Sequence, residues 1–289
     1  MAVPKGRAKD PDYGVELLWR DRAGGQRAGL NLDRIVAAAV ELADQEGLAG
    51  LSMRKVADRL GFTTMSLYRH VPGRDQLVDL MRDAAWGELP DEGELPGGPL
   101  PAGWRDALET CARQGWALHQ RHPWLAEGRG TRHVPGPNGV ANYERMLAVV
   151  AATGLPAVQV VAAVELVGRL IEAEALALVE TVRTERDSGV SEEQWWSARD
   201  SLFARLDRFP TITALHEAGG FERPDPFEFG LGRVLDGIAL LIQSCDESRD
   251  EKAVCQVCGN PIDQPPSGRP RSYCSRACQQ RAYRQRQPS

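Results

Sequence analysis

Apolar residues recur at intervals of three and four along most of this chain, and no segment alternates with the two-residue period of a strand. The stretch "NLDRIVAAAVELADQEG" places Ile35, Val36, Ala39, Val40, Leu42 and Ala43 at helix spacing. Asn31 suits the N-cap and Gly47 a C-terminal stop. A second helix is expected from Ser52 through "MRKVADRL" to Gly61. A short third follows in "TTMSLYRHV", ended by Pro72 and Gly73. A fourth opens at Arg74 with "DQLVDLMRDAAW". After a loop rich in Pro, Gly and acid, helices are expected over 104–122, 138–153 and from Pro156 to beyond Val182. Two more are expected over 191–208, opened by the capping-box pair Ser191 and Gln194, and over 227–244. The expected fold class is all-α: a three-helix helix-turn-helix head, then a helical bundle.

These patterns divide the chain into an N-terminal arm (1–30), a head (31–86), a linker (87–100), a bundle (101–247) and a cysteine-rich end (248–289). The arm is read as mobile, with one apolar docking patch, "VELLW". The most apolar long stretch, Leu155 to Val182, is interrupted by Glu165, Arg169, Glu172 and Glu174, so no membrane span is expected. The first residues have no apolar run of the secretory kind, and a cytoplasmic setting is expected.

The head carries a local logic. Val56, Ala57 and Leu60 on one helix face Leu67 on the next, Ala57 is small enough for close approach, and Gly61 permits a left-handed turn. The residues left facing outward, Thr63, Thr64, Ser66, Tyr68, Arg69 and His70, offer hydroxyls, a phenol and an imidazole suited to base edges and phosphates.

"GLSMRKVADRLGFTTMSLYRHVPGRDQLVDLM" closely resembles the DNA-binding domain of the tetracycline-repressor (TetR) family. Trp104, the segment His122 to Trp124, "GPN" at 136–138 and the helices after Pro156 more loosely resemble the family's ligand-binding domain. The resemblance implies a homodimer whose two recognition helices enter successive major grooves of a near-palindromic DNA operator. It also implies a small-molecule effector that re-spaces the two heads and releases the DNA. Matching positions make Arg54, Thr63, Thr64, Met65, Ser66, Tyr68, His70 and Arg74 candidate DNA contacts. At the start of its helix Arg74 lies beside amides that suit a phosphate. The helices at 156–185 and 227–244, with small residues such as Ala162, Gly168, Gly232 and Gly237, resemble the family's dimer bundle. Repression is the expected outcome of binding, with activation by the same fold as the alternative.

The middle of the chain shows no HExxH pattern, no GxSxG elbow and no glycine-rich phosphate loop, and no enzyme is expected. Trp104, Trp116, Trp124, Trp195 and Trp196 can wall an apolar pocket or fill a bundle core. Trp116, His122, Trp124, Asn142, Glu165 and Arg169 are the candidate effector-binding residues. The metal–drug ligands of tetracycline-binding relatives do not map onto this sequence, so tetracycline itself is not expected.

Net charge is −5, but it is unevenly spread. Residues 87–254 hold 16 Lys and Arg against 27 Asp and Glu, whereas residues 255–289 hold 6 against 1. That basic end contains Cys255, Cys258, Cys274 and Cys278 in a C-x2-C-x15-C-x3-C pattern. A glycine-containing knuckle ("CQVCG") plus two thiols one helical turn apart suits a treble-clef module around one structural Zn2+, with two disulfides as the alternative. Four protein ligands would leave no open position for catalysis. Arg269, Arg271, Arg276, Arg281, Arg284 and Arg286, interleaved with Tyr273 and Tyr283, suit a phosphate backbone, a solvated surface or the acidic body. A zinc-dependent protein-interaction adaptor is the reading of a different class.

Overall fold

The computed structural model describes residues 11–20, 29–90, 103–127, 133–206, 208–221, 225–250, 255–262 and 271–286. The chain forms two compact units, Met1–Asp236 and Gly237–Ser289. Among the described residues every regular element is helical. No helix is long and apolar enough to cross a membrane.

The first unit opens with α1 (Pro11–Leu18). The apolar patch expected to dock does so: Leu17 and Leu18 are buried in the head core, and the Trp19 indole donates to the carbonyl of Pro135 at 3.2 Å. The part of the arm read as mobile that is described is therefore a packed helix; the rest lies outside the described residues. Helix α2 (Leu32–Gly50) starts where Asn31 accepts from the Arg34 amide at 2.9 Å. It breaks at Gly47, whose φ of 71° departs from helical geometry. A Cβ at Gly47 would meet Glu127 Oε1 at 2.8 Å. The glycine thus provides both the turn and the room for the Glu127 carboxylate, which accepts from the Leu48 amide at 3.0 Å.

Helices α3 (Met53–Leu60) and α4 (Thr64–Leu67) are joined at Gly61, held at φ 74°. Val56, Ala57 and Leu67 are buried together as the spacing requires. Helix α5 (Arg74–Trp86) closes the head. It sends Leu77, Val78, Leu80 and Met81 into the same core.

The body comprises α6 (Trp104–Arg121), the single turn α7 (Trp124–Glu127), α8 (Pro137–Ala151), the long α9 (Ala157–Ser188) and the first part of α13 (Pro226–Asp250). The α8 N-terminus is seated on α5. The Asp83 carboxylate accepts from the amides of Asn138 (2.8 Å) and Gly139 (3.1 Å), and the Asn138 side chain donates back to the Asp83 carbonyl and carboxylate. A Cβ on Gly136 would lie 2.3 Å from Asp83 Cγ, which accounts for the glycine of the "GPN" segment.

The single helix expected over 191–208 is instead two, α10 (Glu192–Ser197) and α11 (Asp200–Leu206), followed by α12 (Pro210–Glu217). The capping box at Ser191 and Gln194 forms as expected. None of the three helices buries a side chain. A helix without a buried face has only its backbone and end-caps to sustain it, and breaks cheaply.

In the second unit, α14 (Arg276–Arg286) follows the cysteine segment. It starts two residues later than Cys274, because Ser275 takes the capping role: its Oγ accepts from the Cys278 amide at 3.3 Å.

Asp83 is the test of how firmly the head is joined to the body. Asp83→Ala removes the acceptor for two backbone amides and for the Asn138 side chain, a cost of about 2–3 kcal/mol. A chain of this size loses about 2–4 °C per kcal/mol, so the thermal midpoint falls by roughly 5–10 °C. Gly136→Ala has the same sign through the clash. An unchanged melt in both variants contradicts the assignment.

Candidate functional site: the DNA-facing head and the cavity behind it

The α4 turn presents most of the residues expected at DNA. Met65 is 72% exposed and Tyr68 39%, so neither belongs to the core. Thr64, Ser66 and His70 are partly exposed beside them. Thr63 has a local duty: its Oγ1 accepts from the Ser66 amide at 3.3 Å and lies 2.9 Å from the Ser66 hydroxyl, capping the turn. Arg54 is exposed near the start of α3, 3.8 Å from Asp58. Arg74 differs from the rest. Its guanidinium donates to the carbonyls of Leu48 (2.6 Å) and Leu51 (3.2 Å), tying α5 to the end of α2. It is thereby a brace within the head, and its charge sits on the carbonyl end of α2, where a cation is favoured.

Behind the head, α5, α6, α8 and α9 enclose a cavity of about 460 Å³. Of the candidate effector residues, Asn142, Glu165 and Arg169 line it. Arg169 donates to Glu165 at 3.2 Å, one turn away on α9. Trp116, His122 and Trp124 do not line it. Trp116 stacks on Phe227 at 4.8 Å, joining α6 to α13. Trp124 is fully buried, and its indole donates to Asp44 at 2.6 Å. His122 is bonded through Nδ1 to the same Asp44 oxygen at 2.7 Å and through Nε2 to both Glu88 oxygens at 3.1 Å. Burial pushes the Glu88 carboxyl up, but the hydrogen bonds from His122 and Arg121 together hold it below the ordinary value. These two residues fasten α2 and the end of α5 to the body.

The cavity is instead completed by residues that sequence reasoning did not select, Asp79, Arg82, Asp83, Trp86, His119 and His133. The available signal was the run "DQLVDLMRDAAW", in which Asp79 and Asp83 recur one turn apart on a helix already apolar on its other face. His133 Nδ1 lies 3.0 Å from Asp79. Burial raises the Asp79 carboxyl above its ordinary value despite that partner. Arg82 donates to the Leu125 carbonyl at 2.9 Å. His119 Nδ1 donates to the Gly115 carbonyl at 2.8 Å, and its ring sits edge-on to Trp86. Burial holds the His119 ring below its ordinary value, against the opposing pull of that carbonyl.

In the second unit, the sulfurs of Cys255, Cys258, Cys274 and Cys278 all lie within 4.8 Å of one another, and the four cysteines could hold a metal ion. Cys258 and Cys274 are 3.4 Å apart, Cys274 and Cys278 3.6 Å. All four are free thiols, in contrast to the two-disulfide alternative. Gly259, at φ 72°, closes the knuckle by donating to the Cys255 carbonyl at 2.8 Å. The Gln256 amide donates to Ser272 at 3.3 Å, which brings the second cysteine pair alongside the first. Backbone amides hold the Cys255 thiol down to about 6, while the crowded sulfurs push Cys274 up to about 12.

A helix-turn-helix with an exposed second helix, backed by a helical body with a half-open cavity, defines a DNA-binding regulator with a ligand-binding domain. The chain belongs to the TetR family: residues 35–81 match the model for bacterial regulatory proteins of the tetR family, and residues 97–242 the model for the tetracyclin repressor-like C-terminal domain. It is similar to the HTH-type transcriptional repressor DrrR1 of Streptomyces coeruleorubidus, 38% identical over 79% of this chain and 85% of the relative. An HTH-type transcriptional regulator of Saccharopolyspora erythraea is 34% identical over 73% of this chain and 85% of that protein. Among solved structures, ActR of Streptomyces coelicolor in complex with actinorhodin has a TM-score of 0.59 at 30% identity, covering 74% of this chain and 97% of ActR. The apo form of ActR gives the same TM-score at 29% identity, over 76% of this chain and 99% of ActR. The chain is thus a DNA-binding transcriptional repressor of a family that acts on operator DNA as homodimers and responds to small-molecule ligands.

His119 gives the body a pH signature. Its folded pKa is depressed, so the unfolded chain takes up a proton first as pH falls through about 6.5. Stability tied to this ring is complete above that value and is lost below it. The expected result is that the melting advantage of wild type over His119→Gln shrinks between pH 7.5 and about pH 5.5. Parallel pH profiles for the two proteins would exclude the assignment.

Proposed function

We propose that two copies of this chain grip a near-palindromic operator through Thr64, Met65, Ser66, Tyr68 and His70, with Arg54 on flanking phosphate, and that a small molecule in the 460 Å³ cavity releases them. The observation that carries this reading is the two-faced character of α5. Leu77, Leu80 and Met81 sit in the head core, while Asp79, Arg82, Asp83 and Trp86 line the cavity. A ligand that prefers a different position of α5 acts on the head directly, and its differential affinity for the two positions sets the loss of DNA affinity. Cavity size suits a drug-sized molecule. Actinorhodin, bound in the related ActR structure, is the first ligand to try. Thr63 and Arg74 serve as cap and brace for the reading surface.

Pairing of the two copies is assigned to α9 and α13. Val158, Val161 and Leu166 on α9 and Phe229 on α13 are exposed apolar side chains, and the Cβ position of Gly232 faces open space. A small residue there admits a second backbone closely.

The four-cysteine cluster is assigned one structural Zn2+. Ligand distances of about 2.3 Å in a tetrahedron place sulfurs about 3.8 Å apart, which the observed 3.4 and 3.6 Å approach. Among the described residues the module buries Cys255, Ile262, Cys278 and Ala282, with flanking Val257 and Tyr273, too little to fold by itself without the metal.

Two measurements check these assignments. In gel shifts on an operator selected from randomised duplexes, Tyr68→Ala and Thr64→Ala weaken binding by about 5- to 100-fold while leaving the melt unchanged, and a cavity ligand releases wild type. Sequence-specific binding that survives both substitutions refutes the reading surface. Metal analysis of purified protein gives one zinc per chain, lost in Cys274→Ser. Zinc-free protein with an intact α14 by hydrogen exchange refutes the metal.

A further inference from the structure

The cysteine module presents a helix with arginines along its exposed face. On α14, Cys278 and Ala282 are buried, Cys278 in the cluster with Cys255 and Ile262. Arg276, Gln280, Tyr283 and Arg284 fall at i, i+4, i+7 and i+8, one continuous stripe, and all four are exposed. Arg281 is exposed on its flank. Among the described residues, Arg276, Arg281 and Arg284 form no ion pair. Several exposed arginines of the first unit differ: Arg113, Arg121 and Arg169 each meet a carboxylate. Residues 255–289 contain a single acid, Asp263, against six arginines.

We propose that the outer face of α14 is a second duplex-DNA surface, which binds beside the palindrome held by the two heads and lengthens the operator. The inference rests on the head binding DNA and on the cysteine cluster keeping the module folded. Charge complementarity favours a polyanion, and the side-chain set favours a nucleic acid over an acidic peptide. Arginine and glutamine on one helical face match the acceptor and donor edges of bases, while flanking arginines and a tyrosine hydroxyl hold phosphates. A helix of about 10–12 Å diameter fits a major groove about 12 Å wide. Covalent attachment to a chain already on DNA raises the local concentration of the duplex to the millimolar range, so even a weak surface is occupied. Two metal ligands at the start of α14 fix the helix before it binds, which lowers the ordering cost.

The test uses the full-length protein and two duplexes, the selected palindrome alone and the palindrome with ten additional base pairs on each side. Wild type is compared with Arg276→Gln/Arg281→Gln/Arg284→Gln, and an unchanged zinc content in the variant reports that the module is still folded. The expected result is that wild type protects bases beyond the palindrome and prefers the long duplex by about tenfold or more at low salt. The triple variant binds the short duplex as wild type does and leaves the flanking bases unprotected. Its salt slope on the long duplex is shallower by about 0.9 for each phosphate it no longer neutralises. Identical footprints and slopes for both proteins on the long duplex overturn the proposal and leave the head's role standing. Failure of wild type to bind the palindrome at all overturns the head reading and, with it, this one. Gln280→Ala separates the two modes of contact: altered base preference in the flank supports direct readout by α14, and unchanged preference together with unchanged affinity counts against a reading face.

Discussion

Helix α5 carries Asp79, Arg82 and Asp83 along its packed inner stretch, and the way those three charges are satisfied fixes how the head is held. Buried carboxylates without partners cost several kcal/mol. Asp83 escapes that cost by capping α8, Asp79 by meeting His133, and Arg82 by donating to the Leu125 carbonyl. Each partner belongs to the body. The head therefore cannot shift relative to the cavity without breaking or exchanging charged hydrogen bonds, and such exchanges favour discrete positions over a continuum. Gly136 and Gly47 are what allow the approach: a Cβ at either would collide with the carboxylate that makes the join.

The cavity lies on the far side of these same bonds. Asp79, Arg82 and Asp83 line it while they hold the head, so a ligand that hydrogen-bonds to any of them competes with the fastening itself. The bonds made by His122 with Asp44 and Glu88, and by Trp124 with Asp44, lie off the cavity wall. They fasten the head to the body away from the cavity, so a histidine and a tryptophan that sequence reasoning placed at the effector are occupied elsewhere. Coupling of this kind is bounded by the ligand's differential affinity for the two positions of α5, not by how tightly it binds overall.

Much of the head was legible because its determinants are local. Caps at Asn31 and Ser52, the left-handed Gly61 and the Val56–Ala57–Leu67 contact are set within a few residues of each other. The cysteine knuckle was legible for the same reason. Asn142, Glu165 and Arg169 could be picked out as polar groups on otherwise apolar helices, and they do line the cavity. Arg82, His119 and His133 could not, because their roles depend on partners brought in by the fold rather than by the pattern around each residue. The "VELLW" patch could be read as a docking surface, but its helix depends on the core it meets. The division of residues 191–217 into three short helices was also hidden, since it follows from the lack of any surface that buries them.

The charge distribution now has a structural meaning. Residues 87–254 carry 27 acids against 16 bases, and exposed arginines among them, such as Arg113, Arg121 and Arg169, are paired with carboxylates of the same unit. Such a surface repels duplex DNA at close range. Attraction is left to the head and to the arginines of α14. With three such cations on each module, salt-dependent affinity can be adjusted without touching the residues that read the palindrome. An acidic body also keeps the overall charge negative, so the basic face of α14 contributes little when the heads are not on DNA. The surface is thereby useful where a head has already brought it, which is the condition for lengthening a site without creating a general affinity for nucleic acid.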